Sequence, residues 1–170
     1  MKQRLLFWTV LVLLLVLDQL VKAWTRQHIV LEGSWEGRPW PGVFELTNVQ
    51  NEGIAFGLLQ GMGPLLAPVA VAMALLAGFY SYRHPEESWL THLAMALLAA
   101  GALGNLYDRM VLGKVTDMFS FRLIHFPVFN VADACITIAA CLMMLSWIVD
   151  AVRSKGPTSA RVEAPPSDPA

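Results

Sequence analysis

The chain has 170 residues, 56% of them hydrophobic and only 15% charged, with a formal net charge of −1 and a mean hydropathy of +0.52. A soluble domain of this length is roughly half apolar and about a quarter charged. The composition therefore argues for a membrane protein, and the near-neutral charge gives no sign of nucleic acid as a partner.

A helix crossing the hydrocarbon core needs about 20 mostly apolar residues, and four segments qualify. The first runs from about Leu5 to Trp24. Its fully apolar part, Leu5 to Leu17, is too short alone, so the span is completed through Asp18 and Lys22. Lys2 and Arg4 ahead of a short apolar run also fit a secretory signal peptide, with Val21-Lys22-Ala23 as its cleavage site. A charged Asp18 is out of place just before such a cut, and a retained helix is expected. Asp18 and Lys22 are four apart in acid-before-base order and share one helix face. Their plain reading is an ion pair locking this helix to a neighbour.

Residues Thr25 to Met62 form an excursion too long for a simple loop. Within it, Val43 to Val49 is β-prone and partly alternating, between Gly42 and an Asn51-Glu52-Gly53 turn. This predicts a small sheet on the outer surface, with Trp35 and Trp40 suited to the headgroup region. The second span, Gly63 to Tyr82, carries no charge. A short turn containing Pro85 leads to the third, Trp89 to Tyr107. Gly101 and Gly104, set among alanines, predict close helix packing. Asn105, Asp108 and Arg109 fall at i, i+3 and i+4 at the outer end of this helix. A loop from Asp108 to His125 carries Asp117. The fourth span, Phe126 to Val149, contains a single charge, Asp133, one turn after Asn130.

Cys135 and Cys141 point to different faces of the fourth helix, which suits neither a disulfide nor a zinc pair. The four histidines show no metal-ligand spacing. No metal or cofactor is expected. Residues 154–170, rich in Pro, Ser and Ala, predict a disordered cytoplasmic tail, so that residues 1–153 form a single integral membrane domain. Four spans place both termini on one side. Basic residues divide evenly by count between the two sides. Those flanking the helix ends most tightly, Lys2, Arg4, Arg83 and Arg153, put that side in the cytoplasm.

Ionisable groups inside a membrane cost about 2.5–3.5 kcal/mol each and are functional hypotheses by default. All those above lie near the outer leaflet. With the fourth helix starting at Phe126, Asp133 sits about 10 Å below the boundary, and the loop bearing Asp117 can fold back over it. Two carboxylates brought together in a dry site share one proton and titrate as a unit. Such a pair offers a general base and a general acid side by side, enough to drive water onto a peptide carbonyl without a metal. The residues alone leave a second class open, a small transporter or proton-coupled membrane protein using buried carboxylates.

Five motifs in order carry a family resemblance: Asp18-Gln19 with Lys22, Asn51-Glu52-Gly53-Ile54-Ala55-Phe56, Gly104-Asn105-Leu106-Tyr107-Asp108-Arg109, Val115-Thr116-Asp117, and Phe129-Asn130-Val131-Ala132-Asp133. From about Leu5 to Val149 the chain resembles the lipoprotein signal peptidases, the type II signal peptidases of bacteria. The resemblance implies Asp117 and Asp133 as the catalytic dyad. It implies Asn105, Arg109 and Asn130 as supports that also hold substrate backbone, with Asp108 in the same motif, and Asn51 beside the substrate path next to Gly53. Asp18 and Lys22 match a structural pair. The implied fold is four transmembrane helices with an outer β-cradle between helices one and two and a mobile surface helix. The implied partners are membrane lipid and a prolipoprotein whose lipobox Cys bears a diacylglyceryl group, cut on the N-terminal side of that Cys by a monomer in the bacterial inner membrane. Met118 and Glu52 depart from the common family pattern, which bears on the shape of the substrate groove.

Overall fold

The computed structural model describes residues 2–53, 61, 63–124 and 126–154. Seven elements follow in order: α1 (Lys2–His28), β1 (Ser34–Trp40), β2 (Phe44–Asn51), α2 (Gly63–Arg83), α3 (Trp89–Leu112), β3 (Val115–Phe121) and α4 (Val131–Ser154). All four helices are long and apolar enough to cross a membrane. The tail beyond Ser154 lies outside the described residues, and the surface helix implied by the resemblance is not among them.

The bundle is built around α3. Of its apolar window 61% is buried, against 22% for α1 and 17% each for α2 and α4. It packs on all three, while α2 and α4 hardly meet. The reason is its small residues: Ala94, Ala96, Ala99, Ala100 and Ala102 are buried, and such residues let helix backbones approach closely where lipid removes the usual hydrophobic drive. An added Cβ at Gly101 would run into the Ala132 carbonyl oxygen and lie 2.7 Å from Ile136 Cγ1. One at Gly104 would lie 2.6 Å from Asp18 Oδ2. Helices α1, α3 and α4 therefore close on one another at these two glycines, as their setting among alanines predicts. Outward faces are large and apolar, with Leu13, Leu75 and Trp147 exposed.

Both α3 and α4 differ in extent from the sequence reading. Helix α3 continues past Tyr107 to Leu112, where Gly113 (φ 77°) caps it through a backbone bond to the Arg109 carbonyl. Nothing between Tyr107 and Gly113 breaks a helix; only the apolar run ends there, because one face turns polar. Helix α4 begins at Val131, not Phe126. The preceding backbone is taken up by β3: Met118 and Phe119 N–H donate to the Phe129 carbonyl at 3.0 and 2.8 Å, and Phe129 N–H donates to the Phe119 carbonyl at 3.1 Å. Asn130 then caps the helix. Its Oδ1 accepts from Asp133 N at 2.9 Å, and Asp133 Oδ2 accepts from Asn130 N at 3.2 Å. This is a reciprocal capping box with Asp in the third position. Asp133 thus lies in the first turn of α4, only about 3 Å along it from Val131, which corrects the seven-residue, two-turn position expected from a start at Phe126.

The sheet is antiparallel in the order β1-β2-β3. Its third strand comes from the segment after α3, read from sequence as a loop. Register sets Val49 opposite Asp117 and Asn51 opposite Val115, so Asn51 and Asp117 are diagonal neighbours on one face.

Candidate active site

At the end of the bundle covered by the sheet, a cavity of about 560 Å³ opens between α2, α3, α4 and β3. Its walls are mostly apolar, including Val69, Ile136 and Phe129, and six polar side chains among the described residues line it: Asn51, Asn105, Arg109, Asp117, Asp133 and Thr137. The two carboxylates come from different elements and are linked through amides. Asn130 Nδ2 donates to Asp117 Oδ1 at 2.6 Å and also to Asn105 Oδ1 at 3.1 Å. Asn105 Nδ2 donates to Asp133 Oδ1 at 2.8 Å. Asn51 Nδ2 reaches Asp117 Oδ2 at 3.1 Å, and Asn51 Oδ1 accepts from Gly53 N at 2.9 Å.

Arg109 closes the rim. Its Nη2 donates to the Gly53 carbonyl at 2.8 Å and its Nη1 to the Asn105 carbonyl at 3.3 Å. Its Nε is buried without an acceptor among the described residues. Burial, and then the charge of Asp133, push the Asp117 carboxyl up to about 7, against the lowering effect of the Asn51 and Asn130 amides and of Lys22.

Beneath the cavity lies a second polar layer. Lys22, fully buried, bridges Asp18 Oδ2 at 2.9 Å and Asp108 Oδ2 at 3.4 Å. It also donates to Asn105 Oδ1 at 3.0 Å, which fixes the way that amide faces. Asp18 Oδ1 accepts from Ala132 N in the first turn of α4 at 2.9 Å, and Asp108 Oδ2 accepts from Thr116 N on β3 at 3.0 Å. Asp108 therefore anchors a strand and does not line the cavity. Two residues that sequence reasoning passed over complete this layer. Gln19 Nε2 donates to Asp18, Asp108 and the Gly104 carbonyl, and Thr116 Oγ1 accepts from Arg26 Nη1 at 2.9 Å. Both stand inside motifs that carry the resemblance, Gln19 beside Asp18 and Thr116 beside Asp117, but neither has a role of its own in the sequence reading. Met118 is fully buried and Glu52 exposed. Met118 lies on the opposite strand face from Asp117, so neither departure enters the amide–carboxylate chain.

Fold and site together define a helical membrane protein with a pair of carboxylates at one end of its bundle. Residues 10–149 match the family model described as signal peptidase (SPase) II. A lipoprotein signal peptidase of Streptococcus pneumoniae is 37% identical over 153 residues, 89% of this chain and 98% of its own length. One of Gloeothece citriformis is 40% identical over 146 residues, covering 86% and 91%. A solved structure described as a bacterial membrane enzyme superposes with a TM-score of 0.80 at 24% identity, covering 89% of this chain and 92% of the other. A second such structure gives 0.76 at 25% identity, covering 85% and 93%. The chain belongs to the signal peptidase II family. It is a multi-pass bacterial membrane protein and an aspartic endopeptidase that removes signal peptides from prolipoproteins. The transporter reading finds no support in these matches.

Proposed function

We propose that Asp117 and Asp133 are the catalytic pair, and that the bond cut lies on the N-terminal side of a diacylglyceryl-modified Cys. The observation that carries this is the convergence of both carboxylates on one largely apolar cavity, joined through Asn130 and Asn105. With its carboxyl raised to about 7, Asp117 holds the shared proton at rest. Asp133 takes a proton from water as the oxygen attacks the peptide carbonyl, and Asp117 gives its proton to the carbonyl oxygen. When the tetrahedral species collapses, the C–N bond breaks as the proton on Asp133 passes to the leaving nitrogen. A hydroxyl proton of that species returns to Asp117 as the new carbonyl forms. Arg109, whose Nε has no acceptor among the described residues, and the Asn51–Gly53 corner hold substrate backbone, and the apolar walls take the acyl chains. Asp18, Lys22 and Asp108 hold the pair in place from below. Both termini face the cytoplasm and the pair lies near the outer leaflet, where a lipid-anchored Cys presents its bond.

The test is a gel-shift cleavage assay on diacylglyceryl-modified prolipoprotein in detergent, with thermal melts confirming that each variant is folded. Asp117→Asn and Asp133→Asn are each expected to lose about 10³-fold or more in kcat. Near-normal turnover by either folded variant overturns the pair.

A further inference from the structure

The cavity at the carboxylate pair has a continuation. A second cavity of about 540 Å³ lies toward the opposite end of the bundle, between α2, α3 and α4, and Met73 lines both. Because α2 and α4 hardly meet, the two cavities form one groove with α3 as its floor. The groove is apolar along its length, with Leu98, Met95 and Met143 among its walls, and it ends at Glu87. Glu87 is the one charged side chain lining this second cavity among the described residues. Its carboxylate is half-buried and accepts from two hydroxyls, Tyr80 Oη at 3.1 Å and Thr91 Oγ1 at 3.4 Å. No Lys or Arg pairs with it among the described residues. Two cations of the described residues at this end are engaged elsewhere: Arg4 lies over the Tyr82 ring and Arg83 over that of Phe79.

The length of the groove is itself informative. From Asn105, at the carboxylate pair, to Thr91, beside Glu87, is about 21 Å along α3 at 1.5 Å per residue. A signal peptide carries an apolar region of about 7–15 residues behind a positively charged N-terminal region, and as a helix the longer of these cover the same distance. We infer that the groove between α2 and α4 seats the apolar helix of the substrate's signal peptide, and that Glu87 receives its basic N-terminal region. This rests on the signal-peptidase reading and adds to it a second point of substrate recognition, far from the bond that is cut.

The experiment uses full-length enzyme and two diacylglyceryl-modified prolipoproteins that differ only in their N-terminal region, one bearing lysines and one bearing glutamates. Wild type is expected to favour the lysine form through KM. Glu87→Lys should shift the ratio of kcat/KM for the two forms toward the glutamate form by about fivefold or more, and Glu87→Gln by less. A photo-cross-linker in the substrate's N-terminal region, trapped on Asp133→Asn enzyme, should attach near Glu87 and Trp147. Wild type that cuts both substrates while Glu87→Lys leaves their ratio unchanged overturns the groove assignment alone, as do cross-links confined to the exposed face of α1. Wild type that cuts neither substrate overturns the signal-peptide reading and the groove with it.

Discussion

Lys22 shows how much of this protein's chemistry is settled by single side chains. An ammonium with no solvent exposure is tolerated only because Asp18, Asp108 and Asn105 surround it. Removing one partner from such a cluster leaves uncompensated buried charge and costs about 3–5 kcal/mol, whereas replacing the partners together costs less. Lys22→Met is therefore expected to lower the unfolding free energy by about that amount in detergent, and adding Asp18→Asn should restore part of it. A full additive loss in the double variant would show that the two groups do not interact. Asn105 is the residue through which this cluster reaches the pair, since one amide accepts from Lys22 and donates to Asp133. Asn105→Ala should leave Asp133 free to turn and lower kcat about 10²-fold, with a smaller change in KM. A variant that changes KM alone would place Asn105 in binding instead.

Among the elements, the start of α4 does two jobs with one residue. Asn130 caps the helix through Oδ1 and orders the pair through Nδ2. Asn130→Ser retains a capping oxygen and loses the amide donor, so it separates the two roles. Its melting temperature should stay near wild type, because Ser and Asn are close to equal as caps, while turnover falls. Asn130→Ala should lose both, with about 1 kcal/mol of stability going with the cap. Where α1, α3 and α4 close together, Gly104→Ala would push a methyl against Asp18 and Ala132 and is expected to cost about 1–3 kcal/mol.

At the scale of the whole molecule, the carboxylate pair makes the protein's stability depend on pH. Asp117 has an ordinary carboxyl pKa of 3.8 once unfolded and about 7 when folded. The folded state then binds more protons between these values, so stability falls as pH rises through them. The contribution is complete below about 3.8, amounts to about 4 kcal/mol, and is gone above about 7. Unfolding measured from pH 4 to 8 should show this decline in wild type and not in Asp117→Asn; parallel curves would place the raised carboxyl elsewhere. Activity should likewise fall above about pH 7, as the shared proton is lost from the pair.

The sequence by itself determined the four spans, because apolar length needs no tertiary knowledge. It marked both carboxylates, Arg109 and the Asp18, Lys22 and Asp108 cluster, because ionisable groups are conspicuous in an apolar chain; the neutral Gln19, Thr116 and Thr137 carried no such signal. Spacing also put Asp18 with Lys22, and Asn105 with Arg109, since helical periodicity is local. What it could not supply were the links made across long sequence separations. That Asp117 stands on a third strand, that Phe129 bonds to that strand and delays α4 to Val131, and that Asp108 faces Lys22 and Thr116 rather than the cavity depend on backbone pairing and packing between distant segments. Local composition carries no trace of such pairing: Val115 to Phe121 read as a loop because its strand partner lies more than 60 residues earlier. The groove ending at Glu87 is of the same kind. It exists because small residues let α3 take three neighbours while α2 and α4 stay apart, an outcome that only the assembled bundle decides.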